Sequence, residues 1–144
     1  MRATFSDEQE ALASTVRDLA KGGRGAARQF LDGGTHPEEP TKSLLAGFAG
    51  LAVAEAEGGA GGDLVDLAIV LEGLGRQVTP TPYVSHVLAV QVAHAAGLDV
   101  AAAAAGKVTW TLAVDGGRSQ VDVGDAVRGE QPAVRDGAGC DASV

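Results

Sequence analysis

The sequence predicts a mostly α-helical fold with a short β segment towards its C-terminal end. Three observations carry that prediction. Apolar residues recur at three- and four-residue steps through most of the chain, glycine and proline clusters punctuate them, and after Gly106 the pattern changes to a two-residue alternation. With 144 residues there is room for one small domain, or for one domain and the beginning of another, with a buried core. Hydrophobic residues make up 45% of the chain but aromatics only 3%, so the core must be built from Ala, Val and Leu, and its helices must pack closely.

The first helix is predicted from about residue 6 to 21. Ser6 and Gln9 have capping-box spacing, Asp7 and Glu8 sit where the helix dipole favours negative charge, Leu12, Val16 and Leu19 form the stripe, and Gly22-Gly23 ends it. A short helix over Ala26 to Leu31 follows, then a loop from Gly33 to Pro40 and a third helix from Thr41 to Phe48. Leu51-Ala52-Val53 leads into the acidic, glycine-dense turn from Glu55 to Gly62. Asp63 then caps a helix whose stripe is Leu64, Leu67, Ala68, Leu71 and Leu74, widened by Val65, Ile69 and Val70.

Thr79-Pro80-Thr81-Pro82 breaks this helix. Thr81 as N-cap and Pro82 at the first helical position open the next one, Tyr83 to Ala96, closed by Gly97. Asp99 caps a weak alanine-rich helix from Val100 to Ala105. Lys107 to Val114 is predicted as a strand with Val108, Trp110, Leu112 and Val114 on one side. Asp115-Gly116-Gly117 turns it into a second strand near Gln120 to Val123, with shorter strands beyond. The organisation expected is a helical domain at 1–106 and a partial β-domain segment at 107–144.

A net charge of −8 and a pI near 4.7 oppose nucleic acid or an anionic membrane surface as partner. No run approaches the roughly 20 apolar residues of a membrane span. The opening ten residues lack the apolar region of a signal peptide, and the single cysteine, Cys140, allows no internal disulfide; a cytoplasmic location is the expectation.

The glycine-dense turn invites a phosphate-loop reading. Leu64 stands where that motif needs glycine, no Lys-Ser or Lys-Thr follows, and Glu55, Glu57 and Asp63 would repel phosphate, so a positional turn is favoured. His86 and His94 lie eight residues apart on one predicted helix, against the three or four a metal pair prefers; no metal site is expected, and these read as packed or surface histidines. Nothing pairs Glu55, Glu57 or Glu72 with a group that would make it a general base, and solvated faces are the better reading for Glu55 and Glu57.

Residues 47–90 carry a specific combination. Gly50-Leu51, then Gly58-Gly59-Ala60-Gly61, then Glu72-Gly73-Leu74-Gly75-Arg76 occur in the order and spacing of the N-terminal helical domain of acyl-CoA dehydrogenases, which the sequence resembles; Phe5-Ser6-Asp7-Glu8-Gln9 resembles the usual start of these enzymes. Trp110 to Asp115 falls where the family begins its middle β-domain, and Ala54 and Val114-Asp115-Gly116 stand in place of the usual proline and Thr-Glu-Pro.

The resemblance implies an acyl-CoA dehydrogenase-like helical bundle followed by an incomplete β segment. It further implies FAD-dependent α,β-dehydrogenation of an acyl-CoA, with FAD as cofactor and homo- or hetero-oligomers of acyl-CoA dehydrogenase-type subunits. By resemblance, Tyr83, Val84, Val87 and Leu88 would contact the acyl tail, with core packing as the competing role, and Thr111, Ala113 and Val114 would lie against the flavin. No catalytic residue is expected here: in the family the proton-abstracting glutamate comes from a C-terminal helical domain that these residues do not include. The activity expected of the 144 residues alone is therefore nil. The rival expectation is a non-catalytic subunit or truncated module that pairs with a full-length dehydrogenase.

Overall fold

The computed structural model describes residues 4–33 and 35–112 together with three short strand segments, 121–123, 127–129 and 142–143. Six helices come first: α1 (Asp7–Leu19), α2 (Gly23–Leu31), α3 (Glu38–Phe48), α4 (Leu64–Gln77), α5 (Tyr83–Ala95) and α6 (Ala101–Ala104), with a 3₁₀ turn at Glu55–Glu57. The strands β1 (Trp110–Thr111), β2 (Val121–Val123), β3 (Val127–Gly129) and β4 (Ala142–Ser143) follow. The molecule is mostly helical, as its periodicity predicts.

Two capping boxes interlock α1 with α4. The Ser6 hydroxyl accepts from the Gln9 amide and Gln9 Oε1 accepts from the Ser6 amide, both at 3.2 Å. Asp63 Oδ1 accepts from the Val65 and Asp66 amides, and Asp66 Oδ2 accepts from the Asp63 amide. Gln9 Nε2 then donates to Asp66 Oδ1 at 3.2 Å, so one capping residue grips the other across two helices. The helices also touch closely, because a Cβ on Gly73 would stand 2.6 Å from Val16 Cγ1.

The glycine-dense turn folds back on the segment before it. The amides of Gly59, Ala60, Gly61 and Gly62 donate to the carbonyls of Ala54, Gly50, Val53 and Leu51. With those donors engaged by backbone, the turn offers no nest for a phosphate.

Two buried clusters result. The first joins Val16, Ala20, Leu44, Leu67, Val70, Leu74, Tyr83 and Val87. The second joins Val53, Val90, Ala93, Val100, Ala103 and Ala104, with Val108 and Trp110 packed against it. Helix α5 belongs to both.

Several boundaries differ from expectation. Helix α2 starts earlier, at Gly23, and α3 starts at Glu38, although Glu39 keeps an extended backbone (φ −103°, ψ 134°) and the regular helix begins at Pro40. Pro82, rather than Thr81, is the N-cap of α5; Thr81 Oγ1 still accepts from the Tyr83 amide, at 3.3 Å, so the hydroxyl caps from one residue further out. Among the described residues the first strand does not pair with the second. Instead β1 pairs in parallel with β4, Trp110 opposite Ala142, while β2 pairs antiparallel with β3. Turn propensity is local, whereas β1 is held by its packing on α5 and takes a partner from much later in the chain. The expected turn at 115–117 lies outside the described residues. No described helix is long and apolar enough to cross a membrane.

Candidate functional site

Helix α5, Tyr-Val-Ser-His-Val-Leu-Ala-Val-Gln-Val-Ala-His-Ala, is apolar on nearly every side. Such a helix is one that expects to be covered all round. Tyr83 and Val87 enter the first cluster and Val90 and Ala93 the second. The Tyr83 hydroxyl donates to the Phe48 carbonyl at 2.9 Å, and burial pushes its pKa well above the ordinary tyrosine range, so it stays protonated. On the opposite side Val84, Leu88 and Val92, spaced four apart, are 40%, 47% and 46% exposed. They form one uncovered apolar stripe.

The four residues expected along an acyl tail thus divide. Val84 and Leu88 are available to a ligand or a partner, while Tyr83 and Val87 serve the core. Val92 continues the stripe and was not anticipated, although its four-residue spacing from Leu88 is visible in the sequence. Val84 also lines an apolar groove of about 380 Å³ between α2, α4 and the 78–81 link, with Ala27, Phe30, Leu71 and Val78 in its walls.

Two side chains tie α5 to the glycine-dense turn and the segment leading into it. Gln91 Nε2 donates to the Ala52 carbonyl at 3.2 Å, and His94 Nε2 meets Glu57 Oε2 at 2.9 Å. Glu57, read from sequence as a solvated acid, has a partner that no local pattern could reveal, since the pair lies 37 residues apart. Glu72 bonds Arg76 one turn on, at 2.7 Å.

At its inner face α5 carries His86, which is fully buried. The Trp110 amide donates to His86 Nδ1 at 3.1 Å, which assigns the ring proton to Nε2. Nε2 has no hydrogen-bond partner; the Ala103 carbonyl lies outside bonding geometry yet still favours the protonated ring. Desolvation is the stronger influence and lowers the histidine's pKa.

Of the flavin candidates, Thr111 lies in β1 and is fully buried, and Ala113 and Val114 lie outside the described residues. A buried threonine does not by itself make a flavin site, and no chemical step through flavin follows from these side chains. Among the described residues no group of three or more His, Cys, Asp or Glu could hold a metal ion.

Capping-box helices joined through glycine contacts, a glycine turn folded back on itself and an α5 packed onto a strand define a helical domain that presents an apolar wall. The acyl-CoA dehydrogenase N-terminal domain model matches residues 6–110, and the chain belongs to that family. Among its relatives, acyl-CoA dehydrogenase IpdE2 of Mycolicibacterium smegmatis is 37% identical over 90 residues, which are 59% of this chain and 29% of that protein. IpdE2 of Mycobacterium tuberculosis is 36% identical over 91 residues, 60% of this chain and 29% of that protein. The match thus spans less than a third of the length of these relatives. A chain in the crystal structure of the ChsE4-ChsE5 complex from Mycobacterium tuberculosis shares the fold, with a TM-score of 0.78 and 24% identity over 99% of this chain and 44% of that one.

Proposed function

We propose that this polypeptide supplies the helical wall of an acyl-CoA dehydrogenase assembly, whose reaction is FAD-dependent α,β-dehydrogenation of an acyl-CoA. In this reading residues 1–106 are the helical domain and 107–144 the start of a β-domain. Val84 and Leu88 contact the acyl tail or the polypeptide that closes over it, and Thr111, Ala113 and Val114 lie against the flavin. The proton-abstracting carboxylate is supplied from outside these residues. The observation that carries the reading is the uncovered stripe Val84–Leu88–Val92 on a helix apolar on nearly every side. An apolar face of this kind, unpaired, is what an interaction site looks like before its occupant arrives.

A second reading is a non-catalytic subunit, or a truncated module, that pairs with a full-length dehydrogenase. The same stripe favours it, because a partner helix would bury Val84, Leu88 and Val92 as readily as an acyl chain would. That the structural relative is a ChsE4-ChsE5 complex supports pairing between acyl-CoA dehydrogenase-type subunits.

Replacing Leu88 tests the stripe. Sedimentation and acyl-CoA titration of the 144-residue chain should show self-association or ligand binding in the wild type. Leu88→Glu should weaken it at least tenfold, about 1.4 kcal/mol, with an unchanged thermal midpoint because the side chain is half-exposed. A wild type that neither associates nor binds acyl-CoA, or a Leu88→Glu variant that behaves identically, overturns the proposal.

A further inference from the structure

We propose that His86 is a positioning residue, a neutral imidazole that pins β1 to α5 through the Trp110 amide and lets the strand go when the ring takes up a proton.

The geometry imposes this. Nδ1 is the acceptor for the Trp110 amide at 3.1 Å, and a protonated imidazole has no acceptor, since both ring nitrogens then carry hydrogen. The bond and the second proton exclude each other. The strand held this way is short, two residues, and this bond acts beside the pairing with β4 and the packing on α5 in fixing where it sits.

The surroundings offer a charged ring no side-chain partner, and the Ala103 carbonyl, which favours the protonated form, weighs less than desolvation. Helix α6, packed in the same cluster, is four alanines. Strand β1 is Trp110 and Thr111. On α5 the other titratable groups are Tyr83, bonded to the Phe48 carbonyl, and His94, bonded to Glu57. In the links around α6, Asp99 caps the Ala101 amide and Lys107 is itself a cation. No carboxylate among the described residues bonds His86. A buried, unpaired imidazolium is costly, so the structure relieves it by opening.

The direction with pH follows from burial. The folded ring takes its proton at lower pH than an unfolded one, so the native contact is intact above the ordinary histidine value of 6.5 and is lost progressively as pH falls below it. On the functional reading above, and only there, this makes His86 the residue that sets where the flavin-facing strand sits.

The chain contains one tryptophan, Trp110, so its fluorescence and its amide report on this strand alone. The experiment measures the Trp110 amide protection factor and emission on the full 144-residue chain from about pH 8 to about pH 5. Wild type should lose roughly tenfold or more in protection as pH falls, with a shift in emission. His86→Asn keeps an acceptor near the Nδ1 position without titrating, and should stay protected with a flat profile. His86→Leu should be unprotected at every pH, and should it fail to fold, the comparison of wild type with His86→Asn still decides. Wild-type protection constant to about pH 5, or an Asn variant with the wild-type profile, overturns the proposal. Neither flavin nor acyl-CoA is read, so failure here is distinct from failure of the functional reading.

Discussion

The two buried clusters are built on opposite principles, with α5 as their shared member. The first is made of large side chains, Leu44, Leu67, Val70, Leu74 and Tyr83, and its only deep hydroxyl, that of Tyr83, is satisfied by the Phe48 carbonyl. The second is made of small ones, Ala93, Ala103 and Ala104 among them, and beside it sits a buried histidine with one nitrogen unpartnered. The first derives its stability from apolar volume, the second from close approach. That difference decides which kind of substitution each can tolerate.

Deletion should break the first cluster. Leu44→Ala and Leu74→Ala, at positions 0% and 3% exposed, should each cost about 2–5 kcal/mol in chemical denaturation. A loss well under about 1 kcal/mol at both would mean that this cluster is not the main source of stability.

Addition should break the second. A Cβ on Gly50 would stand 2.7 Å from the Ala104 carbonyl oxygen and 2.8 Å from its Cβ, where backbone cannot yield cheaply, so Gly50→Ala should cost about 1–3 kcal/mol. Gly47, exposed on α3 with nothing within 4 Å of an added Cβ, is the matched control. There the same change should stabilise by about 0.5–1 kcal/mol, because alanine loses less backbone freedom in a helix. Equal denaturation midpoints for the two variants would erase the contrast between the clusters.

How much of this was legible beforehand follows the same division. Helix existence was readable because caps and stripes are local: Ser6 with Gln9, Asp63 at the head of α4, Leu67 to Leu74 along it. The motifs around Gly50, Gly58 to Gly61, and Glu72 to Arg76 placed the family. What could not be read is long-range. Gln9 reaches Asp66, Glu57 reaches His94, and Trp110 reaches His86 across 57, 37 and 24 positions respectively, and no periodicity encodes such pairs. The strand pairing failed for the same reason, since β1 finds β4 rather than its neighbour in sequence. On α5 itself the resemblance pointed to Tyr83, Val84, Val87 and Leu88 together, and only packing divides Tyr83 and Val87, turned inward, from Val84 and Leu88, left uncovered.

In the function proposed above, these residues form a wall of the catalytic assembly and the proton-abstracting carboxylate is supplied from outside them. The most direct measurement is dehydrogenation of a panel of acyl-CoA thioesters by the 144-residue chain, supplied with FAD and an artificial electron acceptor. Loss of a general base typically costs 10²–10⁴-fold on its own, and the account predicts no turnover above the protein-free rate. Turnover that requires the chain and disappears when flavin is withheld would contradict it, and would mean that a carboxylate within these residues does the work assigned to one outside them.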